Sequence, residues 1–202
     1  SSPKDSLDGK YVLTIKLVEG GLMSQYIFDN WEVGTSVEVS APSGNFEYQP
    51  LRDAKKVICL AGGSGITPFI SMAGAVIDSD EEFNMTLIYG SRSRENILFY
   101  DELEEIKSTG KVNVVHVLSD DDAEGFEKGF ITAELIKKYA PENEPYSIFI
   151  CGPQGMYEFL DKEIAKLGLE KKYVRHEMFG EFHNPASESD YPAGVPEEVK
   201  IT

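Results

Sequence analysis

From residue 57 onward, short apolar runs alternate with amphipathic stretches, and this alternation restricts the fold more than any other feature of the chain. Val57-Ile58-Cys59-Leu60 carries no charged or strongly polar side chain. A short, wholly apolar run of this kind marks a strand buried on both faces. It ends in Ala61-Gly62-Gly63-Ser64-Gly65-Ile66-Thr67-Pro68, after which a helix is expected with Phe69, Met72, Ala73 and Val76 on one face. Met85 to Tyr89 reads as a second strand. A helix from about Ile97 places Phe99, Tyr100, Leu103 and Ile106 on a shared side, with Asn96 as its N-cap. Val112 to Leu118 is a third strand, and a helix capped by Thr132 carries Leu135, Ile136 and Tyr139. Ser147 to Cys151 is a fourth strand. A helix then starts at Pro153, a residue suited to the first helical position, and turns Met156, Phe159, Leu160, Ile164 and Leu167 inward. Lys172 to His176 forms a fifth strand. Strands and helices alternating at this spacing build a parallel, doubly wound sheet, so the fold class is α/β.

The first fifty residues differ. Tyr11, Leu13, Ile15 and Leu17 alternate with Val12, Thr14, Lys16 and Val18, a period of two that predicts a strand. Ser36 to Ser40 alternates likewise, and Pro42-Ser43-Gly44-Asn45 supplies turn chemistry. No helix of useful length is expected between residues 10 and 48. The α/β domain therefore begins near Gln49–Asp53. After Phe182 the composition turns to Asn-Pro-Ala-Ser and Tyr-Pro-Ala-Gly, a linker, before the strand-like Val199–Thr202.

Charge excludes several function classes. With 19 Lys+Arg against 35 Asp+Glu the formal charge is −16. Such a surface repels nucleic-acid backbones and anionic lipid. No apolar run reaches the roughly 18 residues of a spanning helix, and with no basic and apolar opening stretch a signal peptide is not expected. Two cysteines, Cys59 and Cys151, and three histidines offer no metal-binding spacing. A reduced, cytoplasmic setting is the default expectation.

In an open parallel sheet, ligands bind beyond the carboxyl ends of the strands. Three strand ends qualify here. In Gly62 to Pro68, glycines permit close backbone approach and the following helix N-terminus favours an anion such as pyrophosphate. The loop lacks Gly-Lys-Ser/Thr, which disfavours NTP hydrolysis. It is also a poor Rossmann fingerprint, with Pro68 at the third glycine and Gly90-Ser91-Arg92 rather than an acid at the second strand's end. A tight strand-to-helix turn is the bland alternative. At the fourth strand's end, Cys151-Gly152-Pro153-Gln154-Gly155-Met156 offers a thiol that is either a small buried hydrophobe or a neighbour of a flat ring. Ser119-Asp120-Asp121-Asp122 reads first as a solvated loop, although its place allows an Asp to bind an adenosine ribose. His116 and His176 fall in strands and read as structural. Trp31 reads as packing.

Four segments, in order, resemble the ferredoxin–NADP reductase superfamily of FAD/NAD(P)H oxidoreductases. They are Gly21-Leu22-Met23-Ser24-Gln25-Tyr26, Gly62 to Pro68, Cys151 to Met156, and Glu177-Met178-Phe179. The resemblance runs over about residues 9 to 182. It implies part of an FAD-binding β-barrel over 1–52, a nicotinamide-binding domain over 53–182, and a tail over 183–202 leading toward a ferredoxin-like two-iron domain. It further implies that Gly21, Leu22, Met23 and Ser24 hold the FAD pyrophosphate. Gly62, Gly63, Ser64, Gly65, Ile66, Thr67 and Pro68 would hold that of NAD(P)H, with Thr67 near the nicotinamide. Cys151 would stand beside the nicotinamide C4 and Glu177 at the flavin–nicotinamide contact, with Phe179 against the flavin. Gly152, Pro153, Gln154 and Met156 complete that wall, and Ser91, Arg92 and Asp120 line the adenosine end. The implied chemistry is hydride transfer to flavin N5 and release of single electrons to an iron–sulfur or other one-electron acceptor. The chain lacks the family's Arg-x-Tyr-Ser motif, for which Ser1-Ser2-Pro3 reads as the trailing end, and reads as a fragment trimmed at both ends. Where NADP-specific relatives carry Ser-Arg, this chain has Ser119-Asp120. A like charge about 5 Å from a 2′-phosphate costs on the order of 3 kcal/mol at a dielectric of 20, so NADH is expected over NADPH. A non-catalytic nicotinamide-binding module is the alternative.

Overall fold

The apolar runs become the centre of one sheet. The computed structural model describes residues 11–39, 44–78 and 82–178. Its strands are β1 (Lys56–Gly62), β2 (Asn84–Ser91), β3 (Val112–Leu118), β4 (Glu127–Lys128), β5 (Tyr146–Gly152) and β6 (Val174–Met178). Its helices are α1 (Leu22–Asn30), α2 (Thr67–Ile77), α3 (Tyr100–Ser108), α4 (Ala133–Tyr139) and α5 (Gln154–Ala165). The strand order is β4-β3-β2-β1-β5-β6, every pair parallel. The winding reverses between β1 and β5, so the crevice for a ligand lies at their carboxyl ends.

Side-chain alternation divides the core into two layers. Val57, Cys59, Leu87 and Phe149 face α2 and α3 through Phe69, Ala73 and Leu103. Ile58, Leu60, Ile88 and Ile150 face α4 and α5 through Ile136, Leu160 and Ile164. All of these are nearly or fully buried, which explains why the strands read as continuous apolar runs.

Several boundaries differ from the sequence expectation. Residues 11–18 and 36–39 belong to no strand. Alternation fits a chain for a strand, but a strand also needs a neighbouring strand to take its N–H and C=O groups in a ladder, and the one sheet among the described residues is built from β1 to β6. Ser40, Pro42 and Ser43 lie outside the described residues. A helix, α1, stands where none was expected. It follows Gly20 in a left-handed turn (φ +74). The Gln25 N–H donates to Gly21 O (3.0 Å), and Asn30 Nδ2 returns to Tyr26 O (2.8 Å). None of its residues is buried, so the apolar face that would have disclosed it is absent. Trp31, expected to pack, is 36% exposed at its C-terminus.

Helix α3 starts three residues later than expected. Its N-cap is Phe99, at φ 58°, instead of Asn96, whose Oδ1 accepts from the Ser93 hydroxyl (2.9 Å). Pro153 is the N-cap of α5 and not its first helical residue. Phe159, expected inside, is 36% exposed. The fifth expected strand begins at Val174, after a 3₁₀ turn over Lys171–Tyr173. The cap at Thr132 stands as expected, its hydroxyl accepting from Leu135 N (3.3 Å).

Residues 44–53 are fastened to the sheet. The Phe46 ring meets Phe69 and Phe149 edge-on, with centroids 5.8 and 5.3 Å away. Tyr48 stacks on Phe83. Arg175 of β6 donates to Asp53 (2.8 Å) and to the Asn45 carbonyl. Phe182 and the tail over 183–202 lie outside the described residues.

Candidate functional site

A cleft of about 900 Å³ opens at the carboxyl ends of β1, β2, β3 and β5. Its floor is built by glycines placed where a side chain has no room. The β1 strand ends at Gly62 and passes into a 3₁₀ turn over Gly63–Ile66 that feeds α2. Gly63 adopts φ +52, a conformation that suits glycine. A Cβ on Gly65 would collide with the Cys151 carbonyl and lie 2.6 Å from Gly152 N. The loop therefore packs backbone to backbone on the end of β5. A Cβ on Gly62 or Gly152 would meet Met156, and on Gly62 also Pro153 at 3.1 Å.

The expected residues divide into those on the cleft wall and those behind it. Gly62, Gly63, Ser64, Ser91, Arg92, Pro153 and Met156 line the cleft. Gly65, Ile66 and Thr67 stand behind the loop as buried supports, and Pro68 occupies the first turn of α2. The Thr67 hydroxyl donates to Ser64 O (3.2 Å), closing the turn. Gln154 begins α5 beside the lining Pro153. Asp120 is exposed at the rim. Its N–H donates to Arg92 O (2.8 Å) and its Oδ1 accepts from the Ser119 hydroxyl (2.6 Å). Asp122 is paired with Lys128 (2.6 Å).

Cys151 and Glu177 are register partners on β5 and β6. Cys151 is wholly buried. Burial, reinforced by the Glu177 carboxylate, pushes its thiol up to about 12, so the group is a neutral thiol at physiological pH and no nucleophile. The Tyr157 hydroxyl accepts from Gly152 N (3.0 Å) and donates to the Glu177 carbonyl, joining the ends of both strands. Both cysteines are free. Phe179 lies outside the described residues.

Upstream, Leu22, Met23 and Ser24 form the first turn of α1 after Gly21. Their N–H groups precede the first intrahelical bond, at Gln25. A Cβ on Gly21 would come within 2.9 Å of Ser24 Oγ, so this turn, too, is closed to a side chain. The Ser24 hydroxyl accepts from Val18 N (3.1 Å).

The sequence reading missed part of the wall. Phe130 and Phe159 line the cleft with ring centroids 5.8 Å apart. Glu95, Asn96, Leu98 and, from the N-terminal segment, Lys16 join them. One signal was available for Phe130: a large aromatic between Gly129 and the apolar Ile131, just ahead of a helix cap, has no core to enter. His116 is structural, as expected. It lies among Tyr100 and Phe126 (5.7 and 5.6 Å) with Nε2 3.3 Å from Glu104. That approach lacks hydrogen-bond geometry, and burial holds the imidazole below its ordinary pKa. His176 is bonded to Asp161 (3.0 Å). Among the described residues, no helix is long and apolar enough to cross a membrane.

Known proteins share this arrangement. The model of the oxidoreductase NAD-binding domain matches residues 59–162, and that of the oxidoreductase FAD-binding domain matches residues 1–48. NADH-cytochrome b5 reductase 1 of Dictyostelium discoideum is 30% identical over 174 residues, 84% of this chain and 60% of that protein. Flavohemoprotein A of the same organism is 30% identical over 166 residues, 81% of this chain and 40% of that protein. The chain thus spans only part of the length of these relatives. The FAD/NAD-binding domain of a nitric oxide dioxygenase from Vibrio cholerae superposes with a TM-score of 0.68 at 26% identity, covering 80% of this chain and 65% of that one. With a glycine-floored cleft at the switch point of a parallel sheet and the NAD-binding model covering half its length, the chain belongs to the FAD/NAD(P)H-binding oxidoreductases related to ferredoxin–NADP reductase.

Proposed function

We propose that the chain is the NADH-oxidising part of a flavin-dependent reductase that delivers single electrons to an iron–sulfur or other one-electron acceptor. The observation that carries this reading is the fit of the cleft to a dinucleotide. Its wall has no room for a side chain at Gly62, the loop behind it is seated on the end of β5 at Gly65, and a helix start stands behind it to favour pyrophosphate. Residues 53–182 form this nicotinamide-binding unit, residues 1–52 contribute to FAD binding, and 183–202 are a connecting tail. Gly21 to Ser24 fit the FAD pyrophosphate, because the N–H groups of Leu22, Met23 and Ser24 precede the first intrahelical bond of α1 and favour an anion. When bound, the nicotinamide and the flavin supply hydride and electron transfer.

The chain's own residues bind and orient. The Gly62–Pro68 loop holds phosphate, with Thr67 fixing its turn. Phe130 and Phe159 offer aromatic surface to the base. Cys151 presents a neutral, dry thiol at the reacting end, and Glu177 sits beside it in register. The second reading, a nicotinamide-binding module without catalysis, is favoured by one observation: residues 11–18 belong to no strand and α1 buries nothing.

An absorbance spectrum of the purified chain, before and after anaerobic NADH, separates the two. Visible flavin bands that bleach on addition are the expected result. A colourless chain that binds NADH without reducing added FAD would establish the binding module instead.

Cofactor choice rests on the rim. Asp120 opposes a 2′-phosphate, while Arg92 on the cleft wall favours one. Asp120→Arg is expected to raise the affinity for NADPH relative to NADH about tenfold, a Coulomb effect reduced by the solvent around an exposed side chain. Paired titrations with the two nucleotides check it. An unchanged ratio would remove Asp120 from the specificity assignment.

A further inference from the structure

Tyr89 is the largest fully buried side chain of β2, yet it ends in a polar atom. Its Cα sits between Ala61 of β1 and His116 of β3, one residue before the strand reaches the cleft. A hydroxyl taken so deep must find partners or carry a desolvation cost. Both partners it finds belong to the cleft loops. It donates to the carbonyl of Gly63 (3.0 Å), in the turn between β1 and α2. It accepts from the N–H of Leu98 (3.4 Å), in the segment between β2 and α3. Gly63 and Leu98 both line the cleft. One proton and one lone pair thus tie together two loops that line it.

A second observation comes from the backbone. Phe99, the residue after Leu98, is the only non-glycine residue at positive φ among the described residues. A left-handed conformation is unfavourable for a residue with a Cβ and persists only where the surroundings impose it. The strain sits where the chain must turn from the cleft wall into α3, one residue from the N–H that Tyr89 captures. Gly63, on the other loop, is left-handed as well (φ +52). Each loop therefore has an unusual backbone conformation next to its bond with the same hydroxyl. Ser91 Oγ is buried nearby and makes no hydrogen bond of proper geometry.

We infer that Tyr89 is a positioning residue for the dinucleotide: its single hydroxyl fixes the spacing of the Gly63 and Leu98 loops, and so the shape of the cleft, without touching the ligand. The inference rests on the dinucleotide reading of the cleft. Phenylalanine is the incisive substitution. It keeps the ring against His116 (centroids 6.3 Å apart) and removes only the atom that joins the loops.

The test uses the whole chain and ADP-ribose as the probe, titrated calorimetrically, with thermal unfolding and amide hydrogen exchange measured in parallel. Tyr89→Phe is expected to raise the Kd for ADP-ribose about tenfold, the scale of stranding a buried donor and acceptor. It is also expected to speed exchange at the Leu98 amide. Leu87→Val trims the same strand's core and leaves the Tyr89 hydroxyl and its two loop hydrogen bonds in place, and serves as the stability control. It should lower the Tm while leaving the Kd within about twofold. A Tyr89→Phe chain that binds as tightly as wild type overturns the inference, as does a Leu87→Val chain that loses as much affinity. A wild-type chain that binds no ADP-ribose overturns the dinucleotide reading itself, and this inference with it. That failure shows in the wild type and the others only in the variants, so the two are distinguishable.

Discussion

Gly65→Ala is expected to weaken dinucleotide binding about 100-fold. The added methyl would run into the Cys151 carbonyl and stand 2.6 Å from Gly152 N. Both obstacles are backbone, fixed by the pairing of β5 with β1 and β6, and cannot rotate aside. The turn over Gly63–Ile66 has to lift away from β5 instead. A displacement on the order of 1 Å is enough to cost about 100-fold where phosphate is held by main-chain N–H groups. Overpacking also lowers stability, by about 1–3 kcal/mol. Gly62→Ala makes the instructive comparison. Its methyl would meet Met156, the far end of a flexible side chain, and Pro153 Cδ at 3.1 Å. Its effect should be several-fold smaller. Titration of both variants with NADH, together with thermal unfolding, checks the order. Equal affinities in Gly65→Ala and wild type would mean that the close approach to β5 serves packing alone.

That close approach also shows what could be read in advance. The four central strands were legible because a strand buried on both faces needs continuous apolar residues, and Val57 to Leu60 or Ser147 to Cys151 have no other use. The Thr132 cap was legible because its signal is local. The glycines at 62, 63 and 65 announced a loop near a ligand, but not which of them abuts β5 and which faces the cleft. That distinction belongs to the β1–β5 pairing, which is non-local. Helix α1 escaped because it buries no face, leaving no period to detect. Phe99 escaped because its left-handed backbone is imposed by surrounding structure, against its own preference. Phe159 reads as a core residue at helical spacing. In the fold the apolar face of α5 is taken by Tyr157, Leu160 and Ile164, and Phe159 is turned toward Phe130 at the cleft. The pairing of Asp53 with Arg175 spans 122 residues, beyond the reach of any local pattern.

Arg175→Met is expected to destabilise the chain by about 3–5 kcal/mol, the range for removing one partner of a buried ion pair. For a chain of this size that lowers the Tm by roughly 10 °C. The two side chains are almost free of solvent, at 5% and 0% exposure. Asp53 Oδ2 accepts from the guanidinium (2.8 Å) and from Gln49 N (2.8 Å), while Oδ1 is buried without a partner. Methionine would fill much of the volume beside Phe149, over which the guanidinium lies at 5.3 Å. It would leave a buried carboxylate with one donor and strip the Asn45 carbonyl of its partner. The loss therefore arises from the stranded charge more than from packing. Adding Asp53→Asn tests this directly, because the amide oxygen can still accept from Gln49 while the charge is gone. The double variant should recover at least half of the lost stability in chemical unfolding. If the single and double variants unfold alike, packing of the Arg175 stem is the larger contribution. The consequence reaches the site, because Arg175 stands two residues before Glu177 on β6. The pair that fastens residues 45–53 to the sheet also anchors the strand that brings Glu177 beside Cys151, so Arg175→Met should lower turnover with NADH even below its unfolding temperature.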